Sequence, residues 1–86
     1  MAAYRICFKR SAVKELKALP DRDLKAVLKR IQGLAEEPRP KGCERLSGKE
    51  WYRLRCGVYW ILYAIEDGVL TVLVVKIGHR REVYHP

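Results

Sequence analysis

Residues 51–77 read WYRLRCGVYWILYAIEDGVLTVLVVKI, and this stretch decides the fold. It holds three strand-like runs separated by two turn signals. Trp51–Cys56 is the first run, with polar and apolar side chains alternating. Gly57-Val58 marks a tight reversal. Tyr59–Glu66 is the second run. Asp67-Gly68 is a strong signal for a two-residue hairpin. Residues 69–77 form the third run. They are apolar on both faces, as expected of a strand that is central or covered on both sides.

Upstream, residues 38–50 read as loop, because Pro38, Pro40, Gly42, Ser47 and Gly48 break any period. Before them, Leu24, Val27, Leu28, Ile31, Leu34 and Ala35 fall on one helical stripe. Asp21 is the expected cap of that helix, which should stop near Glu37, ahead of Pro38. Its other face carries Lys25, Lys29, Arg30 and Glu36, a solvated face or a contact for ribosomal RNA. Ser11 is the expected N-cap of an earlier helix through Leu19, with Val13 and Leu16 on one side and Pro20 as its stop. Residues 4–8 alternate as a short strand. The order is β-α-α-β-β-β. The simplest packing is an α+β domain spanning residues 1–86, an antiparallel sheet with the helical pair on one face. The opposite face of the sheet is then free to work.

Alternation sorts the side chains between those faces. Tyr52 and Leu54 belong together on the core side, which turns Trp51, Arg53 and Arg55 to the open side. In the next strand Tyr59, Ile61, Tyr63 and Ile65 are the core-like set. Val58, Trp60, Leu62 and Ala64 face the other way, so Trp60 is expected near the arginine pair. The chain continues past its most apolar run as Gly78-His79-Arg80-Arg81-Glu82-Val83-Tyr84-His85-Pro86. That segment can fold back over the sheet. Arginine forks match phosphate oxygens in two-point fashion, and aromatic faces hold unstacked bases at about 1–3 kcal/mol each. Together they outline a site for single-stranded RNA. The plainer alternative leaves Arg53 and Arg55 as ordinary exposed strand residues and Trp60 as a satellite of the core.

Composition limits the field. The 86 residues are 49% hydrophobic, too apolar for a disordered chain. No apolar stretch approaches the ~20 residues that span a bilayer, and the start lacks a signal-peptide pattern, so a cytoplasmic protein without membrane association is expected. A net charge of +8 favours polyanionic partners. Cys7, Cys43 and Cys56 are odd in number and show no CxxC spacing, so neither a disulfide framework nor a zinc site is expected. His79, Glu82 and His85 lack ligand spacing. No metal and no cofactor is expected. Ser11 and Ser47 lack a nucleophile context, and Gly42, Gly48 and Gly57 do not form a phosphate loop. Lys14, Lys17 and the helical glutamates fit ordinary pairs along a helix face.

The chain resembles the RelE/ParE superfamily of bacterial toxins. The resemblance rests on the β-α-α-β-β-β order, on Tyr52-Arg53-Leu54-Arg55, on residues 57–65, and on Val75-Lys76-Ile77-Gly78-His79-Arg80-Arg81-Glu82-Val83-Tyr84. The tail ending in Glu82-Val83-Tyr84 favours the RelE branch. The resemblance implies a ribosome-dependent endoribonuclease that cuts mRNA in the decoding site, silenced by a cognate antitoxin in a hetero-oligomer. It places Arg53 and Arg55 near the scissile phosphate, Arg80 at a catalytic arginine and Tyr84 at the C-terminal tyrosine. Trp60 stands where some RelE members carry a further arginine, with Arg81 or His79 as substitutes.

The implied reaction needs no metal, since RNA brings its own 2′-hydroxyl nucleophile. Arg53, Arg55 and Arg80 would stabilise charge on phosphorus. Tyr84 is the base implied by the resemblance, and neighbouring guanidinium groups would favour its phenolate. His79 and His85 titrate closer to neutrality without help. Two other functions fit the same residues. One is a ParE-like inhibitor of DNA gyrase without nuclease activity. The other is an RNA-binding module that uses the same patch without cleavage; Trp60, His79 and Arg81 are the expected RNA-binding residues of the site.

Overall fold

The computed structural model describes residues 3–46 and 50–79. Strand β1 (Arg5–Phe8) leads into helices α1 (Arg10–Lys17) and α2 (Asp21–Gly33). Then come the two-residue strand β2 (Glu44–Arg45), β3 (Trp51–Cys56), β4 (Tyr59–Glu66) and β5 (Thr71–His79). The sheet has five strands in the order β1-β5-β4-β3-β2. Neighbours from β2 to β5 are antiparallel, as hairpin connections require. β1 is the exception and runs parallel to β5. No hairpin dictates its direction. The helical pair carries the chain away from β1 to the far side of the sheet, and the last strand then returns beside it.

The core lies between the helices and one face of the sheet. Ala12 and Leu16 of α1, and Val27 and Ile31 of α2 with Leu34 just beyond it, are buried there. They pack on Tyr52, Leu54, Ile61, Tyr63, Ile65, Val72, Val74 and Ile77. The expected alternation in β3 and β4 therefore holds. In α1 the buried partner of Leu16 is Ala12, and Val13 is half-buried. A bulge separates the pairs Leu62↔Lys76 and Tyr63↔Val74, so β5 carries one extra residue there. The bulge shifts the phase of β5, and Val74 and Ile77 both face the core despite being three residues apart. This is how a run that is apolar on both faces serves a one-sided core.

Several boundaries differ from the sequence expectation. Helix α1 starts at Arg10, with Lys9 as N-cap and no side-chain cap bond, so Ser11 is inside the helix. Asp21 is the first residue of α2 rather than its cap. It and Asp23 sit in the first turn, where the helix dipole favours carboxylates. α2 ends at Gly33, short of Glu37, although the stripe stays buried through Leu34. A short strand, β2, interrupts the expected loop. The β4–β5 connection is longer than a two-residue hairpin: a 3-10 turn over Asp67–Val69 is followed by Leu70 at φ 47°. Its ends are engaged elsewhere. The Asp67 carboxylate accepts from Tyr4 (2.7 Å) and Arg39 (2.9 Å), and the Leu70 carbonyl accepts from the Arg5 amide (2.7 Å). At the other hairpin Gly57 takes φ 61°, a left-handed conformation that glycine adopts without a Cβ penalty.

Candidate nucleic-acid interface

Because Tyr52 and Leu54 are drawn into the core, the pleat turns Arg53 and Arg55 to the opposite face of β3. Directly across the ladder, Arg55 pairs with Trp60 and Arg53 with Leu62. Trp60 is half-buried and stands outside the core cluster. Both guanidinium groups lean over its ring. The Arg53 carbon lies 4.4 Å from the ring centroid and that of Arg55 5.7 Å. Both distances fall within cation–π range. On the far side Trp60 pairs with Gly78, which presents no side chain. The surface is thus an indole with two guanidinium groups against its ring.

Each arginine is also held from its own side. Arg55 Nε donates to the carbonyl of Gly57 at 3.1 Å. The Arg53 guanidinium donates through Nε (3.1 Å) and through Nη2 to Glu44 Oε1. Glu44 stands opposite Arg53 in the β2–β3 register. Sequence reasoning missed Glu44, because a strand of two residues is too short to show a period. Lys76 shares the open face by register, opposite Leu62. Its ammonium reaches round to Glu15 Oε2 at 2.6 Å, while Glu15 Oε1 accepts the Ile77 amide at 3.0 Å. Glu15 was expected to pair along its own helix, and instead binds across the fold to β5.

His79 is not part of the arginine–tryptophan cluster. It pairs with Tyr59, which belongs to the core side, and the two rings meet edge-on at 5.5 Å and 83°. There it lines a groove of about 650 Å³ with Glu15, Leu19, Pro20, Tyr59 and Ile77. The Tyr59 hydroxyl donates to Asp23 Oδ2 at 2.7 Å, and this bond to a carboxylate raises its pKa above the ordinary tyrosine value. Tyr59 is therefore a poor base at neutral pH. Burial pushes the Cys56 thiol up as well, away from the thiolate a nucleophile needs. Arg80, Arg81, Tyr84 and His85 lie outside the described residues. Among the described residues no group of three or more His, Cys, Asp or Glu side chains is placed to hold a metal ion. No helix among them is long and apolar enough to cross a membrane.

The family model described as the ParE toxin of the type II toxin–antitoxin system, parDE, matches residues 6–84. Toxin RelG of Mycobacterium tuberculosis is 34% identical over 85 residues, covering 94% of this chain and 95% of that protein. The chain belongs to the RelE/ParE superfamily of toxins. The toxin–antitoxin complex RelBE2 of Mycobacterium tuberculosis contains a chain that superposes on this RelE/ParE toxin with a TM-score of 0.81 at 31% identity. The match covers 91% of this chain and 99% of that one. The E. coli RelBE toxin–antitoxin complex matches with a TM-score of 0.80 at 23% identity, covering 90% and 96%, a likeness of fold. These relatives carry RelE-type names, in keeping with the branch favoured by the tail of this toxin.

Proposed function

We propose that this RelE/ParE toxin is a ribosome-dependent endoribonuclease that cleaves mRNA and thereby stops translation. The observation that carries the reading is Trp60 flanked by the guanidinium groups of Arg53 and Arg55 on the open face of the sheet. A base stacks on the indole while its neighbouring phosphate meets the arginines. In the reaction the 2′-oxygen bonds to phosphorus and the bond from phosphorus to the 5′-oxygen breaks. The proton of the 2′-hydroxyl goes to a base, and the 5′-oxygen takes one from an acid. The products are a 2′,3′-cyclic phosphate and a free 5′-hydroxyl. Tyr84 is assigned as the base, and Arg53, Arg55 and Arg80 stabilise the charge on phosphorus. Arg81 is assigned to a flanking RNA contact, and His79, turned to the Tyr59 side, is left out of the site. Tyr59 and Cys56 are poor choices for base or nucleophile, because the pKa of each is raised.

The site has cations but no strong acid–base pair among its described residues, which supports dependence on the ribosome. A ribosome holds mRNA in an attack-ready geometry, and orientation alone is worth about 7–11 kcal/mol in favourable cases. The toxin then works in the cytoplasm, and a cognate antitoxin restrains it in a hetero-oligomer, as antitoxins accompany the toxins in the solved RelBE complexes. The match to the ParE model favours a second reading, gyrase inhibition without cleavage. Induced expression with mapping of mRNA 5′ ends separates the two. Codon-phased cuts, lost by about 10²–10⁴-fold in Tyr84→Phe and relieved by the neighbouring antitoxin gene, are expected. Loss of DNA supercoiling with intact mRNA would establish the gyrase reading instead.

A further inference from the structure

Arg53 is the more enclosed of the two arginines at Trp60, and a carboxylate already occupies it. Glu44 Oε1 takes two of its N–H donors, from Nε and Nη2. The contact is built by register, since Glu44 of the edge strand β2 stands directly across from Arg53 of β3. Two donors converging on one anionic oxygen is the arrangement a phosphate oxygen would take at the same guanidinium. Glu44 itself is mostly exposed (57% against 28% for Arg53), so it can swing into solvent without opening the core. The adjacent carboxylate, Glu50, is engaged differently, by Arg45 at 2.5 Å.

We propose that Glu44 is a built-in competitor for the RNA phosphate at Arg53, and so a specificity-determining residue of this site. The inference rests on the ribonuclease reading and extends it. An incoming phosphate must displace Glu44, and the displaced carboxylate then remains close by as a like charge. Both effects weaken RNA held only by this patch. RNA already positioned by the ribosome is affected less, because its local concentration at the patch is high. Glu44 thereby favours ribosome-held mRNA over free RNA.

The test measures binding of a short single-stranded RNA oligonucleotide to the purified full chain by fluorescence anisotropy over a range of salt concentrations. Glu44→Gln is expected to tighten binding about two- to fivefold at low salt, the scale of an exposed ion pair. It should also steepen the dependence of log K on log salt by up to about 0.7, the value for one further phosphate contact to a single strand. In an Arg53→Ala background the same change should lose most of its effect, because the two side chains act through one contact. Glu50→Gln removes a carboxylate that does not touch Arg53 and should give a smaller gain. Equal gains with and without Arg53, or from Glu50→Gln, would overturn the proposal in favour of general charge. If wild type and Glu44→Gln bind alike while Arg53→Ala weakens both, the competitor role is wrong and the RNA site stands. If none of these proteins binds RNA, the competitor role at Arg53 is overturned, while the ribonuclease reading stands or falls on the mapping of mRNA 5′ ends. On ribosome-bound mRNA, Glu44→Gln is expected to change cleavage less than it changes binding of the free oligonucleotide. A loss of about a hundredfold in kcat would make Glu44 a proton carrier and overturn the proposal.

Discussion

Trp60 combines two properties that seldom meet in an indole of a small domain. It is half-buried, yet it stands outside the core cluster, and two guanidinium groups lie against its ring. Its substitution should therefore separate stability from activity. Truncating a core aromatic costs about 3–5 kcal/mol through lost burial and the cavity left behind. Trp60→Ala opens a surface already at the edge of solvent and should cost about 1–2 kcal/mol, because only part of its apolar area leaves water-free contact. Loss of a stacked base is worth about 1–3 kcal/mol, so RNA cleavage should fall by about one to two orders of magnitude. Trp60→Phe keeps a ring and should recover part of the activity. Thermal melts beside cleavage assays on the same preparations check this. A melting loss as large as that of Leu54→Ala, with cleavage falling only in proportion, would return Trp60 to the core.

Strand β5 shows how elements complete one another at an edge. β1 covers it as far as the pair Phe8↔Val74, and beyond that pair no strand among the described residues lies on the outer edge of β5. Helix α1 takes over there, through the carboxylate of Glu15 on the Ile77 amide and the Lys76 ammonium. Glu15→Ala should cost about 1–2 kcal/mol, as expected for a part-buried amide left without its acceptor. Amide exchange at Ile77 should accelerate while Val72, within the β1 ladder, stays protected. Uniform acceleration along β5 would show that Glu15 supports the whole fold and not this edge. The same strand shows what a sequence can and cannot reveal. Residues 51–66 were readable because the alternation of Tyr52, Leu54, Ile61, Tyr63 and Ile65 repeats with a clear core side, and Gly57 marks the turn. That was enough to place Arg53, Arg55 and Trp60 together. The bulge at Leu62/Tyr63, the parallel seat of β1 and the inward turn of Glu15 depend on partners distant in the chain, which local periodicity does not encode. Glu44 was hidden because β2, at two residues, is too short to show a period. His79 reads in the sequence as part of a tail beside the RNA patch, and instead ends β5, because a strand apolar on both sides offers no reference face. Once Ile77 is known to face the core, two residues of alternation carry His79 to the Tyr59 side.

Tyr52, Tyr63 and Asp67 tie the long connection after α2 to the rest of the molecule, and the buried phenol of Tyr63 should limit the fold on the alkaline side. Asp67 accepts from Arg39 and Tyr4, and Arg39 Nε also donates to the Tyr52 hydroxyl at 2.9 Å. The Arg39 hydrogen bond, followed by that of Tyr4, lowers the Asp67 pKa below its ordinary value. A carboxylate lowered by folding stabilises the protein above the unfolded pKa of about 4, and that contribution is lost as the pH falls through the folded value. The pair is largely exposed, so the acid-side effect should be small. The alkaline side is different. Tyr63 is fully buried, and its hydroxyl donates to the Pro38 carbonyl at 2.8 Å. Burial raises its pKa well above the ordinary value, because the phenolate would lose its hydration. A group whose pKa is raised by folding contributes stability that is full below about pH 10 and is lost as the pH climbs towards the folded value. Tyr4 and Tyr59 are raised too, through hydrogen bonds to Asp67 and Asp23, but both meet solvent. Urea midpoints measured across the alkaline range should fall above about pH 10 in the wild type. Tyr63→Phe should start about 1–2 kcal/mol lower at neutral pH, since the Pro38 carbonyl loses its donor. Its curve should then flatten more than that of Tyr4→Phe or Tyr59→Phe. An unchanged alkaline slope in Tyr63→Phe would mean that the buried phenol does not govern alkaline unfolding.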